Sequence, residues 1–292
     1  MVISNAKLIN STYSPIPKKI VLYFCSMKIF LIGIGVLSIV SLSFTACNYP
    51  ARADDKQGIV YTALIKPSPV KKIAPKEEKS SNKLVSPSTI PAMEQAMINY
   101  GLVDIKTVDS SIVVNVKYST TDNFLGIDIY GDFNKCYLQP DVAQKLKLAQ
   151  QYLKLKYPYY GLIIYDGARP HSVQYKMWDS IRVPYAERSK YLSNPNEGSL
   201  HNFGAAVDVS IIDEHGYVVD MGTKYDYFGE LAYPREEERL LNEGKLTHNQ
   251  VLSREVLRDV MHQAGFWSIA TEWWHFNSCY LNTAYAKYKI ID

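Results

Sequence analysis

The sequence predicts an α+β domain over residues 92–292, with helices packed on a largely antiparallel sheet. Three observations lead there. Apolar residues recur at helical spacing over 142–153 and again over 256–264. Short β-branched or aliphatic runs stand at 161–165 and 205–212. These segments do not alternate regularly, which argues against a wound parallel sheet.

Taken in order, 105–118 (IKTVDSSIVVNVKY) alternates apolar and polar residues around Asp109-Ser110-Ser111, which predicts a strand pair or one strand with a turn. Pro140 suits a first helical position, and Val142, Leu146, Ala149 and Leu153 then line one helical face. GLIIY at 161–165 reads as a buried strand and 171–181 as a second helix. AAVDVSII at 205–212 reads as a central strand, followed by a turn at 213–216 into a hairpin partner at 217–219. The charged stretch 231–250 reads as a surface excursion. Ser253 is the expected N-cap of a helix whose apolar face is Val256, Leu257, Val260, Met261 and Ala264, ended by Gly265. Aromatic-rich 266–280 reads as one or two strands.

Ahead of the domain, 29–46 holds 18 uncharged residues behind Lys28, a positive flank before an apolar run, as in an export signal. The run is at the lower limit for crossing roughly 30 Å of hydrocarbon. It ends in Phe44-Thr45-Ala46-Cys47, which resembles a bacterial lipobox, so Cys47 is the candidate lipidation site and Met27 an alternative start to Met1. An uncleaved membrane anchor is the other reading. Both place the remainder outside the cytoplasm, in the periplasm or cell envelope. Residues 48–91 hold six of the 14 prolines among Lys, Ser and Glu, too little apolar content to offset chain entropy, and read as a tether. The expected organisation is 1–47 export signal, 48–91 tether and 92–292 catalytic domain.

The net charge of +3 is unevenly spread: residues 1–91 carry 12 Lys+Arg against 4 Asp+Glu, leaving 20 against 25 for the domain. A mildly acidic domain argues against nucleic acid as a partner, since phosphates need clustered basic residues. The four cysteines (Cys25, Cys47, Cys136 and Cys279) form no Cys-x-x-Cys pair, which excludes a zinc site built on paired cysteines.

Three segments concentrate ionisable groups beside apolar strands: Ser199-Leu-His201-Asn-Phe-Gly204-Ala-Ala206-Val-Asp208, Glu272-Trp-Trp-His275 and Asp166-Gly-Ala-Arg169-Pro170. Two histidines and a carboxylate are a favoured ligand set for catalytic zinc, and His201, Asp208 and His275 supply it. Asp208 interrupts an apolar strand, where an unpaired carboxylate is costly, so a metal is its simplest partner. Seven residues apart, His201 and Asp208 would face opposite sides of one strand, so His201 is expected in the loop before it. Glu272 and His275 need a bend or bulge to share a metal. Glu272 is then the candidate general acid/base and Arg169 the candidate cation for a developing oxyanion, although a salt bridge to Asp166 would also explain Arg169.

The pattern Ser-x-His-x-x-Gly-x-Ala-x-Asp followed by Glu-x-x-His resembles the zinc D-Ala-D-Ala peptidase superfamily. Glu272-Trp-Trp-His275, Asp166-Gly-x-Arg169-Pro170, 118–124 (YSTTDNF) and 221–226 (MGTKYD) are similar to its D-alanyl-D-alanine dipeptidases, of the vancomycin-resistance type. The resemblance spans roughly 102–280 and implies one zinc on His201, Asp208 and His275, with Glu272 as general acid/base and Arg169 as transition-state stabiliser. It also implies that Asp226 and Ser199 contact the free amino group of the dipeptide. Tyr118 and Asn123 fall in a segment that lines the pocket in the family. Ala168 and Ser119 depart from the residues usual there, and Ala168 is expected to alter the pocket wall.

The function so implied is zinc-dependent hydrolysis of the D-alanyl-D-alanine dipeptide to two D-alanines by a metal-activated water, with a small dipeptide as partner and a membrane anchor through lipid or signal. Outside the cytoplasm such an enzyme would salvage wall-derived dipeptide. A D,D- or L,D-carboxypeptidase trimming peptidoglycan stems is the alternative within the superfamily, and a non-catalytic zinc-containing binding module the alternative from another class. Glu272 and Arg169 argue against the latter, since holding zinc requires neither.

Overall fold

The computed structural model describes residues 90–292. The export signal, Cys47 and the tether up to residue 89 lie outside the described residues. Among the described residues no helix is long and apolar enough to cross a membrane.

The described chain begins with α1 (Ala92–Asn99), then β1 (Val103–Asp104), a one-turn α2 (Ile105–Val108) and β2 (Val113–Val114). Next come β3 (Tyr137–Leu138), α3 (Pro140–Lys156), β4 (Tyr160–Asp166) and α4 (His171–Ser180). The remainder is β5 (Ala206–Asp213), α5 (Glu237–Asn242), α6 (His248–Gln263), β6 (Trp267–Ser268), β7 (His275–Asn277) and α7 (Leu281–Lys287). The principal sheet runs β2-β4-β5-β7-β6; β2 pairs parallel with β4, and the other three pairings are antiparallel. The α+β expectation is met.

The period of two along β5 sorts its residues. Val207, Val209 and Ile211 join the main core with Leu146 and Leu153 of α3 and Leu257 and Val260 of α6. Each such buried aliphatic side chain contributes about 1.5–3 kcal/mol. The intervening Asp208 therefore faces the other side of the sheet, away from α3 and α6. A second core there, with Met97, Tyr118, Tyr130, Val173 and Trp178, packs α1, α4 and the 115–137 loop.

Several expectations need correction. Of the two readings of 105–118 the strand pair is not formed: Asp104 caps the one-turn helix α2 by accepting from the Lys106 N–H at 3.0 Å, and a turn then leads into the single short strand Val113–Val114 before the 3-10 turn Lys117–Ser119. Ser253 lies inside α6, whose N-cap is Thr247 in a reciprocal capping box with Gln250. The expected hairpin after β5 does form, though short: the Asp213 N–H donates to the Tyr217 carbonyl and the Val219 N–H to the Ile211 carbonyl, both at 2.9 Å, around the Ile212–Val218 bridge. The 231–250 stretch is anchored: buried Arg254 donates to the carbonyls of Met221 (2.6 Å) and Leu231 (2.7 Å), while Glu237 pairs with Arg258 at 2.8 Å. Ala168 is buried in the second core and does not line the site cavity.

Candidate active site

Neighbouring strands place the ionisable groups in one row. Asp208 on β5 is the register partner of His275 on β7 and of Asp166 on β4, where an irregularity between Ile164 and Asp166 resets the pairing. Residues directly opposite on antiparallel strands project to the same face. His201 arrives from the 3-10 turn Leu200–Phe203 just before β5, as its distance from Asp208 requires. That turn ends at Gly204 in the left-handed region (φ 65°), where a Cβ would stand 2.6 Å from the Leu102 side chain and 3.3 Å from the Gln139 nitrogen. Only glycine fits both the conformation and the space.

One donor atom from each of His201, Asp208 and His275 lies within 4.8 Å of the other two. His275 Nδ1 stands 3.0 Å from Asp208 Oδ1 and 3.2 Å from His201 Nε2. The outward nitrogens are engaged: His201 Nδ1 meets the Gly167 carbonyl at 2.7 Å, and His275 Nε2 meets Asn277 Oδ1 at 2.8 Å. With the protons of the neutral imidazoles on these outward nitrogens, the inward nitrogens would offer their lone pairs to a metal, the arrangement that orients metal-binding imidazoles. Two such nitrogens and a carboxylate oxygen fit a zinc ion by donor chemistry. In the metal-free site, burial disfavours the Asp208 charge, but His201 and His275 outweigh it and hold the carboxyl well below the usual carboxylate range. Burial also opposes the His275 charge, yet Asp208 pushes that imidazole up to about 9.

Glu272 sits in the irregular segment before β7, between Trp267–Ser268 and His275. Buried Trp273 and Trp274 fix it: the Trp273 indole N–H donates to Thr223 Oγ1 at 2.7 Å, and the Trp274 carbonyl accepts from the Val209 N–H at 3.0 Å. Burial raises the Glu272 carboxyl, His275 opposes and Asp208 adds to the rise. An upward shift is what a general base working near neutrality needs. Arg169 is buried and does form the expected ion pair, with Nη2 2.6 Å and Nε 3.0 Å from Asp166 Oδ2, while Nη1 donates to Gln174 at 2.9 Å. The Tyr130 hydroxyl donates to the other Asp166 oxygen at 2.9 Å, so the guanidinium is rigidly held. The same guanidinium also lines the cavity.

Asp226 is the one non-glycine with positive φ (59°) among the described residues. Its Oδ1 accepts from the Tyr118 hydroxyl at 3.2 Å and its Oδ2 from the Phe124 N–H at 3.4 Å. Burial, then the Asp208 charge, raise its carboxyl well above the usual range. Such a carboxylate is short of a cation. Ser199 caps the turn that carries His201, its Oγ accepting from the His201 N–H at 3.3 Å. That bond leaves the Ser199 hydroxyl proton for a further partner.

His201, Asp208, His275, Glu272, Arg169, Asp226 and Ser199 all line one cavity of about 290 Å³, which Tyr118 also borders. Asn123 instead ties its own loop through the Thr120 and Ile127 carbonyls at 2.7 and 2.9 Å. A larger cavity of about 540 Å³ lies between Asn99, Gln139 and Lys287, far poorer in acid, base and metal-ligating groups. Sequence reasoning missed Tyr225, whose hydroxyl donates to Asp208 Oδ2 at 2.8 Å, and Asn277. Asn277 had a signal, since it stands two residues after His275 and shares its strand face. Tyr225 lies in the family-like segment 221–226, but nothing in that segment pointed it at Asp208.

A family profile described as D-ala-D-ala dipeptidase (Peptidase_M15) matches residues 98–289. The chain is 29% identical over 181 residues to the D-alanyl-D-alanine dipeptidase of Escherichia coli, covering 60% of this chain and 83% of that protein. It is 27% identical over 177 residues to the enzyme of the same name from Enterococcus faecalis, covering 56% and 83%. Among solved structures, VanYB in complex with D-Alanine-D-Alanine aligns at 15% identity and a TM-score of 0.29, over 60% of this chain and 90% of that one. With the profile spanning well over half of its length, this chain belongs to the peptidase M15 family of D-ala-D-ala dipeptidases.

Proposed function

We propose that this metallopeptidase hydrolyses the free D-alanyl-D-alanine dipeptide to two D-alanines, with one zinc held by His201, Asp208 and His275. The observation that carries the reading is the convergence of these three donors, Glu272, Arg169 and Asp226 on one cavity of about 290 Å³. Zinc supplies Lewis acidity there, which makes water acidic enough to attack near neutral pH and draws charge from the scissile carbonyl. Glu272 takes the proton of the attacking water and delivers it to the leaving nitrogen. Arg169, immobilised by Asp166 and Gln174, presents fixed positive charge to the oxygen that becomes negative in the tetrahedral intermediate. Asp226 receives the dipeptide ammonium, the cation its buried carboxylate lacks, and Ser199 provides a neighbouring oxygen.

The relatives named D-alanyl-D-alanine dipeptidase support the substrate. The lipobox-like Phe44–Cys47 segment supports an exported domain tethered at the cell envelope through Cys47, with residues 48–91 as the spacer. The test compares D-alanine release from free D-Ala-D-Ala and from a stem pentapeptide ending in D-Ala-D-Ala, with zinc and a Glu272→Ala control. Dipeptide cleavage that the control abolishes, with the pentapeptide intact, is the expected result. Pentapeptide cleavage without dipeptide cleavage would instead make the protein a carboxypeptidase.

A further inference from the structure

The second oxygen of Asp208 has its own partner. Asp208 Oδ1 faces His275 Nδ1 at 3.0 Å, whereas Oδ2 accepts from the Tyr225 hydroxyl at 2.8 Å. The Tyr225 ring is clamped on three sides, with ring centroids 5.0 Å from Tyr165, 5.4 Å from Trp274 and 6.3 Å from Tyr118. Counting protons assigns the donor. Tyr225 and Tyr118 hydroxyls stand 3.4 Å apart, but Tyr118 has Asp226 Oδ1 as acceptor at 3.2 Å and Tyr225 has Asp208 Oδ2. A phenol carries one proton and an ionised carboxylate none, so the Tyr225 proton goes to Asp208.

A carboxylate can bind a metal through one oxygen or both. We propose that Tyr225 is a positioning residue that engages Asp208 Oδ2 and so restricts Asp208 to one-oxygen ligation of the zinc through Oδ1. The inference rests on the reading of His201, Asp208 and His275 as the metal site. It assigns a task to a side chain that lies 17 residues from Asp208 in sequence. A hydrogen bond to the non-ligating oxygen keeps the carboxylate plane from rotating and leaves a coordination position for water or the substrate carbonyl. Losing an outer partner of this kind costs about 10–100-fold in metal affinity.

The experiment uses the full chain and three variants: Tyr225→Phe, Tyr225→Leu and Tyr165→Phe. Tyr165→Phe removes a phenol from the ring packed on Tyr225 without touching Asp208. Zinc affinity is read by competition with a chromophoric chelator, ligand number by the visible absorption of the cobalt(II)-substituted protein, and folding by the melting temperature of the metal-free protein. The expected result is zinc affinity about 10–100-fold weaker in Tyr225→Phe, an altered cobalt spectrum and Tyr165→Phe within about twofold of the parent. Zinc affinity within about twofold and an unchanged cobalt spectrum in Tyr225→Phe overturn the proposal, as does a drop in melting temperature with both metal readouts unchanged. Tyr225→Leu settles the case in which the Phe ring alone preserves the packing: it too must alter the cobalt spectrum. A parent chain that binds no zinc ends the metal reading and this inference together. One that binds zinc with Tyr225 dependence but leaves the dipeptide intact ends only the proposed substrate.

Discussion

Asp208 and His275 are register partners on adjacent antiparallel strands, and their side chains meet at 3.0 Å between Oδ1 and Nδ1. The proposed metal site thus lies across the β5–β7 pairing, with His201 added from the turn before β5. Replacing Asp208 by Asn or His275 by Ala removes a proposed ligand, and zinc affinity should fall by more than the about 10–100-fold expected of an outer partner. Chelator competition reads it; a change of less than tenfold would contradict the assignment.

Glu272 is held by two buried tryptophans and shares the cavity with the three donors. Glu272→Gln keeps the shape and removes the base, so kcat should drop about 10²–10⁴-fold. Zinc content per chain should stay unchanged. Equal loss of zinc and activity would make Glu272 a structural part of the metal site.

Asp226 should act on binding. Asp226→Asn removes the charge that meets the ammonium, a hydrogen bond to a charged group of about 1.5–3 kcal/mol, which converts to roughly a 10–150-fold fall in kcat/KM for the free dipeptide. N-acetyl-D-Ala-D-Ala should be a poor substrate for the parent. Efficient cleavage of the acetylated peptide would leave Asp226 without this role.

How legible all this was in the sequence varied with the range of the determining contact. β4, β5 and α3 were readable because their apolar runs and helical spacing are local properties. The 105–118 segment misled because alternation in IKTVDSS also suits the one-turn helix capped by Asp104. The start of α6 was placed six residues late because its first turn is polar, although Thr247-x-x-Gln250 is a capping signal. The anchoring of 231–250 depends on Arg254, whose burial nothing in its neighbours announces. At the site, the residues that share the cavity (His201, Asp208, His275, Glu272, Arg169, Asp226 and Ser199) were readable from residue types and the family-like segments. Tyr225, Gly167 and Gln174 were not, since their roles arise from contacts that only the folded chain creates.

Gly204 is a local test of the fold beneath the site. Gly204→Ala must adopt φ 65° and crowd Leu102 and Gln139, costing at least about 1 kcal/mol in stability and displacing the His201 turn. Thermal melting and zinc affinity should both decline. An unchanged melting temperature would contradict the close approach.

The cysteines give a pH-dependent readout. Cys136 and Cys279 are free thiols, and burial raises both, Cys136 well above the ordinary range. A raised thiol holds less reactive thiolate at any given pH, so Cys136 should resist a maleimide from pH 7 to 9 in the folded chain and react on unfolding. Peptide mapping by mass spectrometry distinguishes it from Cys279. Rapid Cys136 labelling in the native state would contradict its burial.

The central claim is the metal among His201, Asp208 and His275, and anomalous diffraction at the zinc edge from crystals of the zinc-loaded protein tests it most directly. One peak per chain is predicted, about 2.0–2.2 Å from His201 Nε2, Asp208 Oδ1 and His275 Nδ1. A peak held by other residues, or none there at saturating zinc, would contradict it.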